Sequence, residues 1–123
     1  MTRYSLELRI ILLSIVTLIS AVVVSAVVWR QQDNFNSVKW KNEKGNLSSY
    51  NSRYRMEYSL QQWHLKIGMS KSDVDELLGT PDGIYPSSLE YILGQAPYGV
   101  DIDTMVIEFN RNSQIQRIYI RSG

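Results

Sequence analysis

The 123-residue sequence predicts an α+β chain: an N-terminal transmembrane helix, then two helices packed on a three-stranded antiparallel β-meander. Three observations carry that expectation. A run of 20 residues, Ile10 to Trp29, contains no charge, Asn, Gln, Gly, Pro or His. Between Tyr50 and Leu78 apolar groups recur at helical spacing, and from Leu89 to Ile120 they alternate with period two. The organisation read from these is a flank (1–9), a span (10–29), a polar tether (30–49) and a small domain (50–123).

The span comes first. Twenty residues rising about 1.5 Å each give about 30 Å, the thickness of a bilayer's hydrocarbon core. Its polar side chains, Ser14, Thr17, Ser20 and Ser25, can bond back to the preceding turn of helix. Tyr4 and Arg9 precede it, and Trp29 and Arg30 close it, as residues of the headgroup region do. The rival reading is a cleaved signal peptide, with Arg3 and Arg9 as its basic start and Val24-Ser25-Ala26 as the cleavage site. The apolar run continues past that site through Trp29, which favours an uncleaved anchor. Lys and Arg are richer after the span (Arg30, Lys39, Lys41, Lys44), which by charge alone places the following chain in the cytoplasm. Thr17, Ala21 and Ser25 recur every four residues, a helix-packing stripe that is common in such spans.

Residues 30–49 are polar and show no sustained period, as a tether does. Within them, Trp40 between Lys39 and Lys41 has two readings: it rests at the membrane surface, or it covers an edge of the domain. Asn46-Leu47-Ser48 fits a glycosylation acceptor, meaningful only in a eukaryotic secretory setting.

The first domain helix is expected over about Tyr50 to Leu65. Met56, Leu60, Trp63 and Ile67 share one face, and Tyr50, Tyr54 and Tyr58 form a second stripe at the rim of the core. The second helix, Lys71 to Leu78, is the best specified element. Ser70 caps it, with Asp73 placed to reach back, and Met69 and Val74 form a hydrophobic staple. Asp73, Asp75 and Glu76 load its positive end with negative charge, and Gly79 then Pro81 stop it.

Three strands follow. Leu89, Tyr91 and Leu93 alternate with polar or opposite-face residues, as do Met105, Ile107 and Phe109, then Ile118 and Ile120. Ile115 is out of phase with Ile118, which predicts a bulge where the last strand begins.

The text Gly68-Met69-Ser70, Val74, Leu77-Leu78-Gly79 and Pro81 resembles the GM[ST]xxxVxxLLGxP signature of the SmpA/OmlA outer-membrane-lipoprotein family. That family includes the small BamE-like lipoprotein of the outer-membrane β-barrel assembly machine. Tyr91-x-Leu93-Gly94, Ile102-Asp103 and Val106-Ile107-x-Phe109 are similar to the strand text of related small envelope proteins, and the resemblance covers roughly residues 53–121. It implies an α+β fold of the β-lactamase-inhibitor type, a periplasmic domain, and a binding role. Family lipoproteins start at a lipidated cysteine, and this chain has no cysteine. The apolar span would replace the lipid, holding the domain at the bacterial inner membrane by a single pass.

The absence of cysteine excludes a disulfide framework, a thiolate metal site and a Cys nucleophile. A formal charge of +1 argues against a nucleic-acid binder. His64 is the only histidine and no nucleophile-elbow text surrounds any serine, so the expected chemistry is non-enzymatic, with no cofactor, metal or small-molecule substrate evident. Charge placement says more. Residues 30–71 hold eight Lys/Arg against three Asp/Glu, whereas residues 72–110 hold eight acids and no Lys or Arg. This segregation suggests an acidic surface around loops 80–88 and 94–103, where Tyr85 and Tyr98 supply contact area and Asp82, Asp101 and Asp103 select a basic partner. The competing reading pairs the acids with Arg111, Arg117 and Arg121 across neighbouring strands.

The expected function is that of a membrane-anchored envelope protein whose periplasmic domain binds a protein partner and scaffolds or modulates a complex. The alternative is an inhibitor or immunity-type protein whose two tyrosine-bearing loops plug the cleft of a hydrolase or toxin. A third possibility, a hydrolase using His64, demands activity lost on His64→Ala.

Overall fold

A computed structural model describes residues 10, 11, 14, 15, 32–96 and 99–123. The chain divides into two units, Met1–Gln32 and Asp33–Gly123. In the first, Ile10, Ile11, Ser14 and Ile15 are helical and exposed, and the Ser14 hydroxyl donates to the Ile10 carbonyl at 3.0 Å. The rest of the expected span 10–29 lies outside the described residues. Among the described residues no helix is long and apolar enough to cross a membrane, so the transmembrane helix of the sequence-predicted fold is not an element of the observed one.

The second unit corrects the expected architecture further. It has three helices rather than two, α1 (Ser37–Asn42), α2 (Arg53–Trp63) and α3 (Lys71–Leu78). Its antiparallel sheet has four strands rather than three, β1 (Gly83–Tyr85), β2 (Ser88–Gln95), β3 (Ile102–Phe109) and β4 (Ile115–Ser122), in that spatial order. Both additions are held by tertiary contacts that no local pattern announces. The short α1 is capped by Asn36, whose side chain accepts from the Lys39 amide at 3.0 Å, and it exists to bury Trp40. That residue therefore neither rests on a membrane nor trims an edge; it is a fully buried member of the core. Strand β1 forms because residues 83–85 fold back on β2 across Pro86-Ser87, pairing Gly83 with Glu90 and Tyr85 with Ser88.

The remaining elements follow their sequence signals. Helix α3 spans Lys71–Leu78, with the Ser70 hydroxyl accepting from the Asp73 amide at 3.1 Å. Its stop does a second task. Gly79 has φ +72°, and a Cβ there would lie 2.9 Å from the Lys41 side chain, so the glycine lets α1 approach. The expected bulge is present as a register shift where Glu108 pairs with Arg117 and Phe109 with Ile115. Helix α2, however, ends at Trp63. Met56 and Leu60 are buried as expected, Leu65 fills the next core position, and Trp63 and Ile67 point outward at 77% and 68% exposure.

The core lies between the helices and the inner sheet face, where Leu89, Tyr91, Leu93, Met105, Ile107, Phe109 and Ile115 meet Met56, Leu60, Leu65, Val74 and Leu78. Each such side chain contributes about 1.5–3 kcal/mol by leaving water. Set into this apolar layer is one cation. Arg53, the first residue of α2, is fully buried. Its Nε donates to the Trp40 carbonyl at 2.8 Å, and its Nη1 donates to Asp82 Oδ2 at 2.8 Å and to the Ile92 carbonyl at 3.2 Å. The guanidinium carbon sits 5.0 Å from the Trp40 ring centroid and 5.9 Å from that of Tyr91. Asp82 is satisfied in turn by the Gly45 amide (2.7 Å) and the Ile92 amide (2.9 Å). Asn51 completes the node: its Oδ1 accepts from the Arg53 amide at 2.9 Å, just ahead of the Ser52 N-cap, and its Nδ2 donates to the Asn46 carbonyl at 2.8 Å. Backbone packing around Asn51 is close enough to demand glycine at 94, where φ is +92° and a Cβ would lie 2.3 Å from the Ser48 carbonyl oxygen.

A buried charge stripped of its counter-ion is far more costly than the loss of the pair as a whole. Asp82→Asn is therefore expected to destabilise the domain by about 3 kcal/mol. Adding Arg53→Met to Asp82→Asn should recover part of that loss. Urea unfolding of the full chain in detergent, followed by Trp fluorescence, measures both; equal losses in the single and double variants would mean the two side chains are not coupled.

Candidate interaction surfaces

The outer face of the sheet carries the charges that the sequence places on the strands. The Glu108 carboxylate receives Arg117 through two bonds, Nη2 at 2.8 Å and Nε at 3.0 Å, and Arg117 lies 4.4 Å from the Tyr119 ring centroid. Arg121 reaches across β3 from β4 to Glu90 on β2 at 2.5 Å. Beside these bridges Thr104 and Val106 are buried, facing Arg121 and Tyr119 of β4, and among the described residues no helix of the core packs on this side. The Arg117 hydrogen bonds hold the Glu108 carboxyl below the usual carboxylate range, and Glu108 and Glu90 in turn raise the two guanidinium pKa values.

The proposed acidic contact surface is not one surface. Asp82 is the counter-ion of Arg53, and Asp103 accepts from the Ser122 hydroxyl at 2.7 Å. Asp101 is exposed and forms no ion pair among the described residues. Tyr85 is half-exposed beside the first residue of β2, whereas Asp101 belongs to the turn beyond the last. Eight residues of strand put about 23 Å between those two ends. Tyr98 lies outside the described residues. The motif residues build structure rather than a site. Gly68 and Met69 bond through their backbones to Ile115 (2.7 and 2.8 Å), and Ser70 caps α3. Val74, Leu78 and Pro81 are buried, Leu77 packs on the core, and Gly79 ends the helix.

A different region has the features of a binding surface. Where α1, the end of α2 and α3 meet, a groove of ≈ 610 Å³ opens between Trp63, His64, Lys66, Met69, Asp73 and Leu77. Trp63 forms its lip. Met69 and Leu77 give it an apolar floor, and Lys66 and the acids Asp73 and Glu76 supply charge of both signs at its margin. The His64 ring is packed 4.9 Å from that of Phe35. The Ser37 hydroxyl donates to the Leu77 carbonyl at 2.7 Å, tying α1 to α3 on one side of the groove. Sequence periodicity places Trp63 and Ile67 on the core face, but Trp63 is the last residue of α2 and Ile67 lies one turn beyond it, where the helical repeat no longer applies. The available counter-signal was Gly68, whose φ of +90° belongs to a chain already turning away. Among the described residues no group of His, Asp and Glu is arranged to hold a metal ion.

No family model, curated protein or solved structure matches the chain.

The Glu108 shift has a defined sign. A carboxyl whose folded pKa is depressed adds stability above its unfolded pKa, and that stability is lost as pH falls through the folded value. In an NMR acid titration, Glu108 should therefore protonate below the ordinary carboxylate range, and Arg117→Gln should move its midpoint up toward that range. An unmoved midpoint would show that Arg117 is not the cause.

Proposed function

We propose that this chain is a membrane-anchored module of the bacterial envelope whose small α+β domain faces the periplasm and binds another protein, scaffolding or modulating a complex. The apolar run 10–29, of which Ile10, Ile11 and Ile15 are exposed helical residues, supports the anchor. The resemblance of Gly68–Pro81 to an envelope-protein motif supports the compartment.

The observation that carries the binding role is Trp63. A tryptophan 77% exposed at the lip of an apolar-floored groove leaves a large, stiff aromatic surface in water. Tryptophan is the side chain that most often dominates protein–protein contacts, because it buries much area at small entropic loss. Ile67, also exposed, extends the apolar surface near that end of α2. The mixed charges at the margin suit a partner segment with an apolar anchor and polar flanks.

Photocrosslinking tests this reading. In the full chain in its native membrane, a benzophenone side chain at position 63 should form an adduct with a discrete protein, and one at Asn112 on the β3–β4 turn should not. Trp63→Ala should lower recovery of that protein about tenfold or more. Equal labelling from both positions would remove the groove as the contact.

A further inference from the structure

The two edges of the sheet are treated differently. The edge formed by β1 is three residues long, whereas the opposite edge, β4, is eight. Natural sheets blunt long edges with proline, charged side chains, a β-bulge or a covering helix or loop. Among the described residues β4 has such protection at its start, where the bulge lies and where Gly68 and Met69 bond to both backbone groups of Ile115. The rest, Gln116-Arg117-Ile118-Tyr119-Ile120-Arg121-Ser122, contains no proline, and its two arginines are turned inward over the sheet face to Glu108 and Glu90.

Which backbone groups are free follows from the register. The Gly123 amide donates to the Ile102 carbonyl at 3.1 Å, so that facing pair exchanges its bonds and, by alternation, so do Arg121, Tyr119 and Arg117 with β3. The N–H and C=O groups of Ile118, Ile120 and Ser122 therefore point away from the sheet. Among the described residues nothing on the backbone meets them. On the inner face, Ile118 is half-buried and Ile120 is 39% exposed, the uncovered margin of the core.

We propose that β4 pairs with β4 of a second copy of this chain, antiparallel about a two-fold axis through Ile120, joining two four-stranded sheets into one. Side-chain chemistry selects both the occupant and the register. With Ile120 on the axis, Ile120 faces its own copy and Ile118 faces Ser122, and the apolar margin closes on itself. On the outer face each Tyr119 then stands opposite the aliphatic stem of the other copy's Arg121, whose guanidinium stays turned inward on Glu90. An axis through Tyr119 would instead set Arg117 against Arg121 of the second copy, like charges directly opposed. An axis through Ile118 would drive the incoming strand onto the Ile115 edge, which the 68–69 loop already occupies. A foreign strand would find no charge code here, because Arg117 and Arg121 are paired with Glu108 and Glu90. The favoured register forms about six inter-chain hydrogen bonds. This pairing is independent of the groove at Trp63, and either can fail alone.

The absence of cysteine makes the test direct. Facing residues of a bonded antiparallel pair have Cα atoms about 5.5 Å apart, within disulfide reach. In this register two copies of residue 119 are diagonal neighbours about 7–8 Å apart, beyond that reach. Mild oxidation of the full chain carrying Ile120→Cys should give a covalent dimer several-fold above the collision background set by Val38→Cys, with Tyr119→Cys near background. Dimer from Tyr119→Cys in excess of Ile120→Cys overturns the register, and Ile120→Cys at background overturns the pairing. As a second measurement on the cysteine-free chain, a concentration-dependent rise in mass by light scattering should be abolished by Ile120→Lys and retained in Asn112→Lys. A wild-type mass that stays monomeric at every concentration overturns the proposal.

Discussion

Everything in the domain is arranged around one buried cation. Arg53 cannot leave its charge in the core unless a carboxylate, carbonyl oxygens and aromatic faces meet it there, and each comes from a different segment. Asp82 lies in the turn before β1, Ile92 on β2, and Trp40 on α1. The guanidinium is thus a polar connector between segments that also meet in the core, where the Trp40 and Tyr91 rings lie 6.1 Å apart. It also explains why a six-residue helix, far too short to persist alone, holds its shape. Its Trp40 carbonyl accepts the bond from the Nε of that charge.

The two sheet faces solve the problem of burial in different ways. The inner face uses hydrocarbon from the helices. On the outer face, where the described residues supply no second layer, Arg121 crosses β3 to Glu90 and Arg117 is held by Glu108, beside the buried Thr104 and Val106. Such exposed bridges add little stability individually. Their effect is to shield apolar strand positions while keeping that face wet and charged. Apolar side chains that stay in water lie elsewhere, among them Trp63 and Ile67, Val38, Ile84, Val100 and, on the free side of β4, Ile120.

Local physics was legible where several signals fell within ten residues of one another. The cap, staple, acidic first turn and glycine stop of α3 define its limits, and alternation locates the three long strands together with the bulge at Ile115. What was hidden depends on distant partners. Arg53 sits among tyrosines and other charged residues on a helix that looks solvated, and its counter-ion comes 29 positions later. Residues 83–85 have no alternation to read, since a three-residue strand exists only through its pairing with β2. Naming Tyr85, Tyr98, Asp101 and Asp103 by residue type alone says nothing about direction. Asp103 turns to Ser122, and Tyr85 stands at the other end of the sheet from Asp101. The groove was missed for the opposite reason: its key residue, Trp63, fits a helical period so well that it read as core.

The position of Trp40 decides where the folding unit can be divided. A fragment trimmed at Tyr50, where compositional reading locates the beginning of ordered structure, would discard an indole fully enclosed by the core, a carbonyl that receives the guanidinium, and the Gly45 amide that receives Asp82. The compact unit starts at Asp33, whose amide donates to the Arg55 carbonyl at 2.9 Å. Any excised piece meant to stand alone must begin there or earlier.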